Sequence, residues 1–292
     1  MKKLHLTRFA AMATVALMGT TAAWAEATGA GVNGSEFTLQ SNSAVDLVSI
    51  SDEDAAYFNG LSNNIKDIIV QRGSASTEYS TLMLPVTVLV SESYSNQIES
   101  AYVPTGYIQG ENTLEFIEET EIEANKPYIV KVNGNPTSFV FHKSSGEYTI
   151  QSTEGKKHSI TLNNTCWEFT GVYEKQYWKT APANVYGYAG SGEYAGKFVK
   201  VGDEVTLRPL RAYLICRNSG LQKSSTDDVS NLPDVINVRF VDNEGGTLSI
   251  GTMNTKTGEI QMQDRYYDLK GRKLNGKPQN KVMYVNKKVI KH

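Results

Sequence analysis

Residues 128–141 read YIVKVNGNPTSFVF, two β-type runs, 128–132 and 137–141, on either side of the turn cluster Asn133-Gly134-Asn135-Pro136. Val, Ile, Tyr and Phe suit a pleated, half-buried surface, and Gly, Asn and Pro supply the backbone angles that turns require. The pattern recurs at 82–90, 167–173, 212–216, 235–241, 247–250 and 282–285, with Gly, Asn, Ser or Pro between the runs. No long stretch of 3.6-residue apolar period intervenes. The combination predicts an all-β chain, with an antiparallel β-sandwich-like main domain followed by a small C-terminal β-module, rather than alternating strand and helix units. One short helix is expected, where Ser51 caps a first turn of Asp52, Glu53 and Asp54 and Gly60 stands at the stop.

Working outward, residues 1–25 have the layout of a signal peptide: Lys2, Lys3 and Arg8, an apolar run from Phe9 to Met18, then Ala23-Trp24-Ala25 before a cut at Glu26. The run is too short to span a bilayer, which takes about 20 apolar residues. Residues 26–60 read as a lead-in with the short helix, 61–217 as the main β-rich domain, 218–233 as a linker and 234–292 as the C-terminal β-module. Phe37, Leu39, Val45 and Leu47 are the possible anchors of the lead-in. Removing the signal takes three of the 29 basic residues and none of the 31 acidic ones, so the mature chain carries about −5. Nine Lys or Arg face a single Asp between Arg265 and His292, which leaves the rest of the mature chain at about −13. An acidic body disfavours nucleic acid as the partner. No segment of the mature chain reads as a transmembrane helix.

Three phrases carry a resemblance. Tyr79-Ser80-Thr81-Leu82-Met83-Leu84-Pro85-Val86, Ile122-Glu123-Ala124-Asn125-Lys126-Pro127-Tyr128-Ile129-Val130 and Leu207-Arg208-Pro209-Leu210-Arg211-Ala212-Tyr213-Leu214 resemble, in the same order, strands of secreted Bacteroidetes-type and Fibrobacter-type surface proteins. Asn125 stands where Gly is usual, and Leu210 where Phe is usual. The resemblance spans about half the chain and implies a β-rich surface domain without an assigned activity. The tail, Tyr267-Asp268-Leu269-Lys270-Gly271-Arg272-Lys273 followed by Tyr284 and Lys287-Lys288-Val289-Ile290-Lys291, resembles the Y-D-L-x-G-R sorting module read by the type IX secretion system. The glycine usual before its tyrosine strand is replaced by Lys281-Val282-Met283. The likeness implies that Tyr267, Asp268, Leu269, Gly271 and Arg272 engage secretion machinery. Asp268 and Gly271 suit a hairpin turn, and Tyr284, Val285, Val289 and Ile290 alternate as a terminal strand pair.

Residues with chemistry are sparse. Glu118, Glu119, Glu121 and Glu123 form the densest acidic run. Carboxylates about 5 to 9 Å apart can cleave a glycosidic bond, but charges beside a turn are ordinarily solvated. Trp167 and Phe169 share one strand face and belong to a core. Tyr177, Trp178, Tyr186, Tyr188 and Tyr194 lie in Gly-rich, loop-like sequence and are the candidates for a ring platform that stacks on sugars. Gly190-Ser191-Gly192-Glu193-Tyr194-Ala195 fits a dinucleotide fingerprint by letter only, since neither the preceding strand nor the following helix is evident. His142, His158 and His292 show no metal-ligand spacing, and Asp242-Asn243-Glu244-Gly245 reads as a plain turn. No metal or cofactor is expected. Cys166 and Cys216 either pair, closing a loop of about 50 residues worth roughly 4 kcal/mol, or remain two buried thiols.

The sequence therefore predicts a non-enzymatic protein, secreted or on the outer cell surface, that acts in adhesion, in matrix organisation or by binding a polysaccharide or a surface protein. A hydrolase using paired carboxylates and a purely structural module are the alternatives.

Overall fold

The computed structural model describes residues 29–61, 65–73, 78–155, 158–163, 165–217 and 232–241, together with the backbone of short strands at 23–25 and between 251 and 291. Within it the chain is all-β around one helix. The first sheet holds five strands in the spatial order β1 (Ala23–Ala25), β2 (Ala30–Asn33), β3 (Glu36–Gln40), β4 (Asp67–Gln71) and β11 (Ser138–His142). The second holds ten. In chain order they are β5 (Tyr79–Leu82), β7 (Ile98–Ile108), β8 (Thr113–Glu119), β10 (Tyr128–Val132), β12 (Ser159–Thr161), β13 (Trp167–Val172), β15 (Val185–Tyr188), β16 (Phe198–Lys200), β18 (Arg211–Cys216) and β19 (Val235–Val241). Across the sheet the order is β12-β13-β18-β15-β16-β19-β8-β7-β10-β5. Two short ribbons, β6 (Val88–Leu89) with β9 (Glu121–Ile122) and β14 (Gln176–Trp178) with β17 (Val205–Leu207), complete the body.

The two runs at 128–141 both form strands, yet they do not pair with each other. β10 lies between β5 and β7, whereas β11 pairs with β4 in the other sheet. The Asn-Gly-Asn-Pro cluster is thus a crossing between layers, with Gly134 at φ +68° making the bend.

Burial explains why Tyr128-Ile129-Val130 is apolar without alternation. Tyr128, Val130 and Val132 face a core shared with Phe37, Leu39, Val70 and Phe139 of the first sheet. Ile129 faces a second core with Phe116, Trp167, Phe169, Phe198 and Leu214. On β7, Ala101 and Val103 turn to the first core and Tyr102 to the second. A strand buried on both faces needs apolar residues at every position.

The second sheet curls until its ends approach. Met83 donates its backbone N–H to Leu210 O at 3.2 Å, Leu210 donates to Val172 O at 2.7 Å, and Ala212 donates to Thr81 Oγ1 at 3.0 Å. Side chains pointing inside the curl make the second core. Most pairings are antiparallel, but β3 runs parallel to β4 and β19 parallel to β8, so both sheets are mixed.

The helix α1 (Asp52–Gly60) begins as the sequence implies. Ser51 Oγ accepts from Asp54 N–H, and Asp54 Oδ2 accepts from Ser51 N–H, each at 3.0 Å. Phe58 anchors it edge-on against Phe37 at 5.2 Å between centroids.

Two segments outside the expected main domain supply strands to the folded body. The segment read as a lead-in supplies β2 and β3, and Phe37, Leu39, Val48 and Ile50 are fully buried, because the parallel pairing of β3 with β4 draws it into the first sheet. Likewise β19, placed by sequence in the C-terminal module, is inserted between β16 and β8 of the body. Beyond it, Gly251–Met253 pairs with Ile260–Met262, and Tyr266–Tyr267, Lys273–Leu274, Tyr284–Asn286 and Val289–Lys291 form a four-stranded sheet. The terminal strand pair is among them. The signal segment up to residue 22, the linker at 218–231 and Asp268, Leu269, Gly271 and Arg272 lie outside the described residues, as does the run at 247–250.

Candidate functional site

The five candidate rings occupy three different environments. Tyr186, in β15, is fully buried: it meets Trp167 edge-on at 5.3 Å and its hydroxyl donates to Pro233 O at 2.6 Å. Burial pushes its ionisation well above the usual tyrosine range. Tyr188, two residues on and therefore on the same face, packs edge-on against Phe198 at 5.2 Å. Its buried hydroxyl has no partner among the described residues, and burial raises its pKa too. Both rings serve the second core. The local reading of Tyr186-Gly187-Tyr188 as a loop is replaced by a strand paired on both sides, with β16 and with β18.

Tyr177 and Trp178 are adjacent on β14 and so project from opposite faces of the ribbon. Trp178 packs edge-on against Tyr213 at 5.6 Å, while Tyr177 is 55% exposed opposite Thr206. Tyr194 is exposed in the loop that joins β15 to β16. That loop contains residues 190–195 and turns through Gly192 and Gly196, at φ +80° and +82°. It connects two antiparallel strands and opens no helix. Tyr177 and Tyr194 are thus the outward rings, on separate elements; Trp178 is half-buried, and Tyr186 and Tyr188 point inward.

The acidic run is held by a lysine and a tyrosine. Lys126 Nζ lies 3.1 Å from Glu119 Oε2 and 2.8 Å from Glu123 Oε1. Partial burial opposes the lysine charge, but its bonds to Glu123 and Glu119 outweigh it and raise the pKa. Tyr128 donates its hydroxyl to Glu119 Oε2 at 3.2 Å and accepts the Glu123 N–H at 3.1 Å. Glu118 accepts from Ser100 Oγ at 2.9 Å on the neighbouring strand, and Glu121 is exposed. This network fixes the turn between β9 and β10 around one cation.

Asn125 sits in that turn at φ +63°, a left-handed backbone that Gly and Asn tolerate best. Tyr173 donates its hydroxyl to Asn125 Oδ1 at 2.8 Å, and the amide donates to Ser152 O at 3.3 Å. The asparagine therefore meets the backbone demand and ties three loops together.

Cys166 and Cys216 are joined by a disulfide, with Cα atoms 4.7 Å apart at the ends of the neighbouring strands β13 and β18. His142 pairs with Asp67 across β11 and β4, Nδ1 to Oδ1 at 2.7 Å, and His158 makes a 3.1 Å bond through Nε2 to Thr153 O. Among the described residues no group of three or more His, Cys, Asp or Glu side chains is placed to hold a metal ion. No described helix is long and apolar enough to cross a membrane.

Nothing in the local sequence marks Arg72 as buried. It lies two residues beyond Val70, after Gln71 at the end of β4, and is 1% exposed against two hydrogen-bonding partners on β5. A lone arginine just before a glycine carries no sequence signal of burial. Compared with known proteins, the chain matches no family model, no curated protein and no solved structure.

Proposed function

We propose that this chain is an exported or cell-surface β-protein that acts by binding or by structure rather than by catalysis, with its C-terminal strands as a sorting-type handle. The observation that carries the reading is that side chains with chemical potential are engaged in holding the body together. Glu119 and Glu123 share Lys126, and Tyr186, Tyr188 and Trp178 pack against neighbouring rings. Of the five candidate rings, the outward Tyr177 and Tyr194 are the ones available to a polysaccharide or a surface protein. The Cys166–Cys216 bridge suits an oxidising compartment, where such bonds persist.

Two measurements test it. The mature chain is screened against insoluble polysaccharides and cell-surface proteins, with product analysis run alongside; binding without turnover is expected, and turnover of any substrate would overturn the reading. Separately, residues 242–292 are fused to a reporter that carries its own export signal. This cut leaves β19 with the body it completes. The reporter should reach the surface of a cell with type IX machinery and stay periplasmic in one without it. Periplasmic retention in both removes the sorting role.

A further inference from the structure

Arg72 and Arg211 converge on one hydroxyl at the margin of the first core. Arg72 Nη2 donates to Ser80 Oγ at 2.7 Å, and its Nη1 and Nη2 donate to Thr81 O at 3.2 and 3.1 Å. Its guanidinium lies over the Phe139 ring at 4.7 Å from the centroid. Arg211, at the start of β18, donates from Nη1 to the same Ser80 Oγ at 2.7 Å. Arg208 is an exposed cation close to the main chain that follows Arg72, since its Nη1 would lie 3.8 Å from a Cβ built on Gly73.

Two guanidiniums on one oxygen place like charges within a few ångströms, where each disfavours the other. Neither has a carboxylate within ion-pair distance among the described residues. Ser80 accepts from both and contributes no negative charge. Buried charges are ordinarily paired, because taking an ion out of water costs several kcal/mol. Burial alone pushes Arg211 down to about 10, with no acidic neighbour to raise it. Donor capacity is also unspent. Among the described residues Arg72 Nε–H is buried without an acceptor and Arg211 makes a single hydrogen bond.

We propose that Arg72 and Arg211 form a binding site for an oxyanion, the terminal oxygens of a sulfate, phosphate or carboxylate group, entered past the half-buried Arg211 and the exposed Arg208. A guanidinium fork matches the spacing of such oxygens and binds them more strongly than neutral donors do. One oxygen would take the free donors of Arg211, and a second the idle Nε–H of Arg72. The site stands on these residues alone and is independent of where the protein resides.

Equilibrium dialysis of the mature full chain with radiolabelled inorganic sulfate, at constant ionic strength, tests it. Saturable binding near one equivalent per chain is expected, and Arg211→Leu should weaken it by about tenfold or more. Absence of saturable binding overturns the proposal, as does unchanged affinity in a folded Arg211→Leu protein. If that variant does not fold, NMR of the arginine Nε–H groups in the unaltered protein decides. A sulfate-dependent shift of the Arg72 signal supports the site, and an unmoved signal refutes it. Displacement of the label by dextran sulfate, but not by dextran, assigns the natural ligand to a polymer-borne ester; displacement by free phosphate alone assigns it to a small ion.

Discussion

Gly171→Ala should be among the more damaging single-methyl changes in the body. Gly171 lies in β13, and a Cβ built there would fall 2.2 Å from Met83 Sδ, 2.9 Å from its Cε and 3.2 Å from its Cβ. Gly171 does not occupy a left-handed backbone, so the effect is steric alone. Met83 is fully buried, and the sulfur could swing away only by displacing other core atoms. Its Cβ cannot swing, because the Met83 backbone is tied to Leu210 O. Overpacking of this kind costs about 1–3 kcal/mol. Met83→Ala alone should cost about 2–5 kcal/mol through the cavity it leaves. Together the two changes offset one another, since the new methyl enters space the thioether vacates, and the double variant should be less destabilised than the sum by about 0.5–3 kcal/mol. Urea unfolding followed by the fluorescence of Trp167, 2% exposed four residues from the change, reads all four proteins. Strict additivity, or a Gly171→Ala protein within about 0.5 kcal/mol of the parent, would mean that β13 does not press on the segment after β5 and that the curl of the second sheet is wrongly closed.

Three further outcomes follow from the geometry. Replacing both Cys166 and Cys216 by Ala removes a cross-link spanning 50 residues and should cost about 4 kcal/mol; two free thiols in unreduced, denatured parent protein would refute the premise. Asn125→Ala forces a β-carbon-bearing residue without a compensating amide into φ +63° and should lose about 2 kcal/mol, more than Asn125→Gly; equal losses in chemical denaturation would show that the backbone angle is immaterial. Tyr173 is buried with its pKa raised well above 10.0, so its contribution is complete below the unfolded-state value and is lost as pH rises above it, because the unfolded chain ionises first. Stability should therefore fall by about 1.4 kcal/mol per pH unit above pH 10 for this residue, and absorbance at 295 nm should show tyrosinates appearing with unfolding; smooth titration of all 16 tyrosines in the folded state contradicts this.

Local features were legible in the sequence where the signal is itself local. The Ser51–Asp54 cap is written in four residues, and β10 and β11 in five each. Which strands pair was not legible. Asn133-Gly134-Asn135-Pro136 satisfies the backbone of a hairpin and of a crossing between layers equally well, so turn chemistry cannot tell them apart. The parallel contacts of β3 with β4 and of β19 with β8 join segments far apart in the chain, which no local signal encodes. The aromatic residues misled for a related reason. Gly187 made its surroundings read as a loop, but it sits in a strand whose inner face holds Tyr186 and Tyr188. Arg72 was invisible because composition says a charge belongs outside, and only the placement of Ser80, Thr81 and Phe139 makes its burial tolerable.

The position of β19 bears on how a tail could act on this body. The strands beyond residue 250 are joined to it through β19, which is hydrogen-bonded to β16 on one side and to β8 on the other. A pull directed along such a strand loads both ladders in shear, so their bonds resist together instead of opening one at a time. Phe240, near the C-terminal end of β19, stacks on Tyr79 of β5 at 4.9 Å and meets Tyr102 of β7 at 4.3 Å. The point of attachment is thus packed across the second core to the wall that both cores share. A pull applied through β19 would therefore be carried into the second core and not end at a surface loop, which is what the proposed sorting-type handle would need.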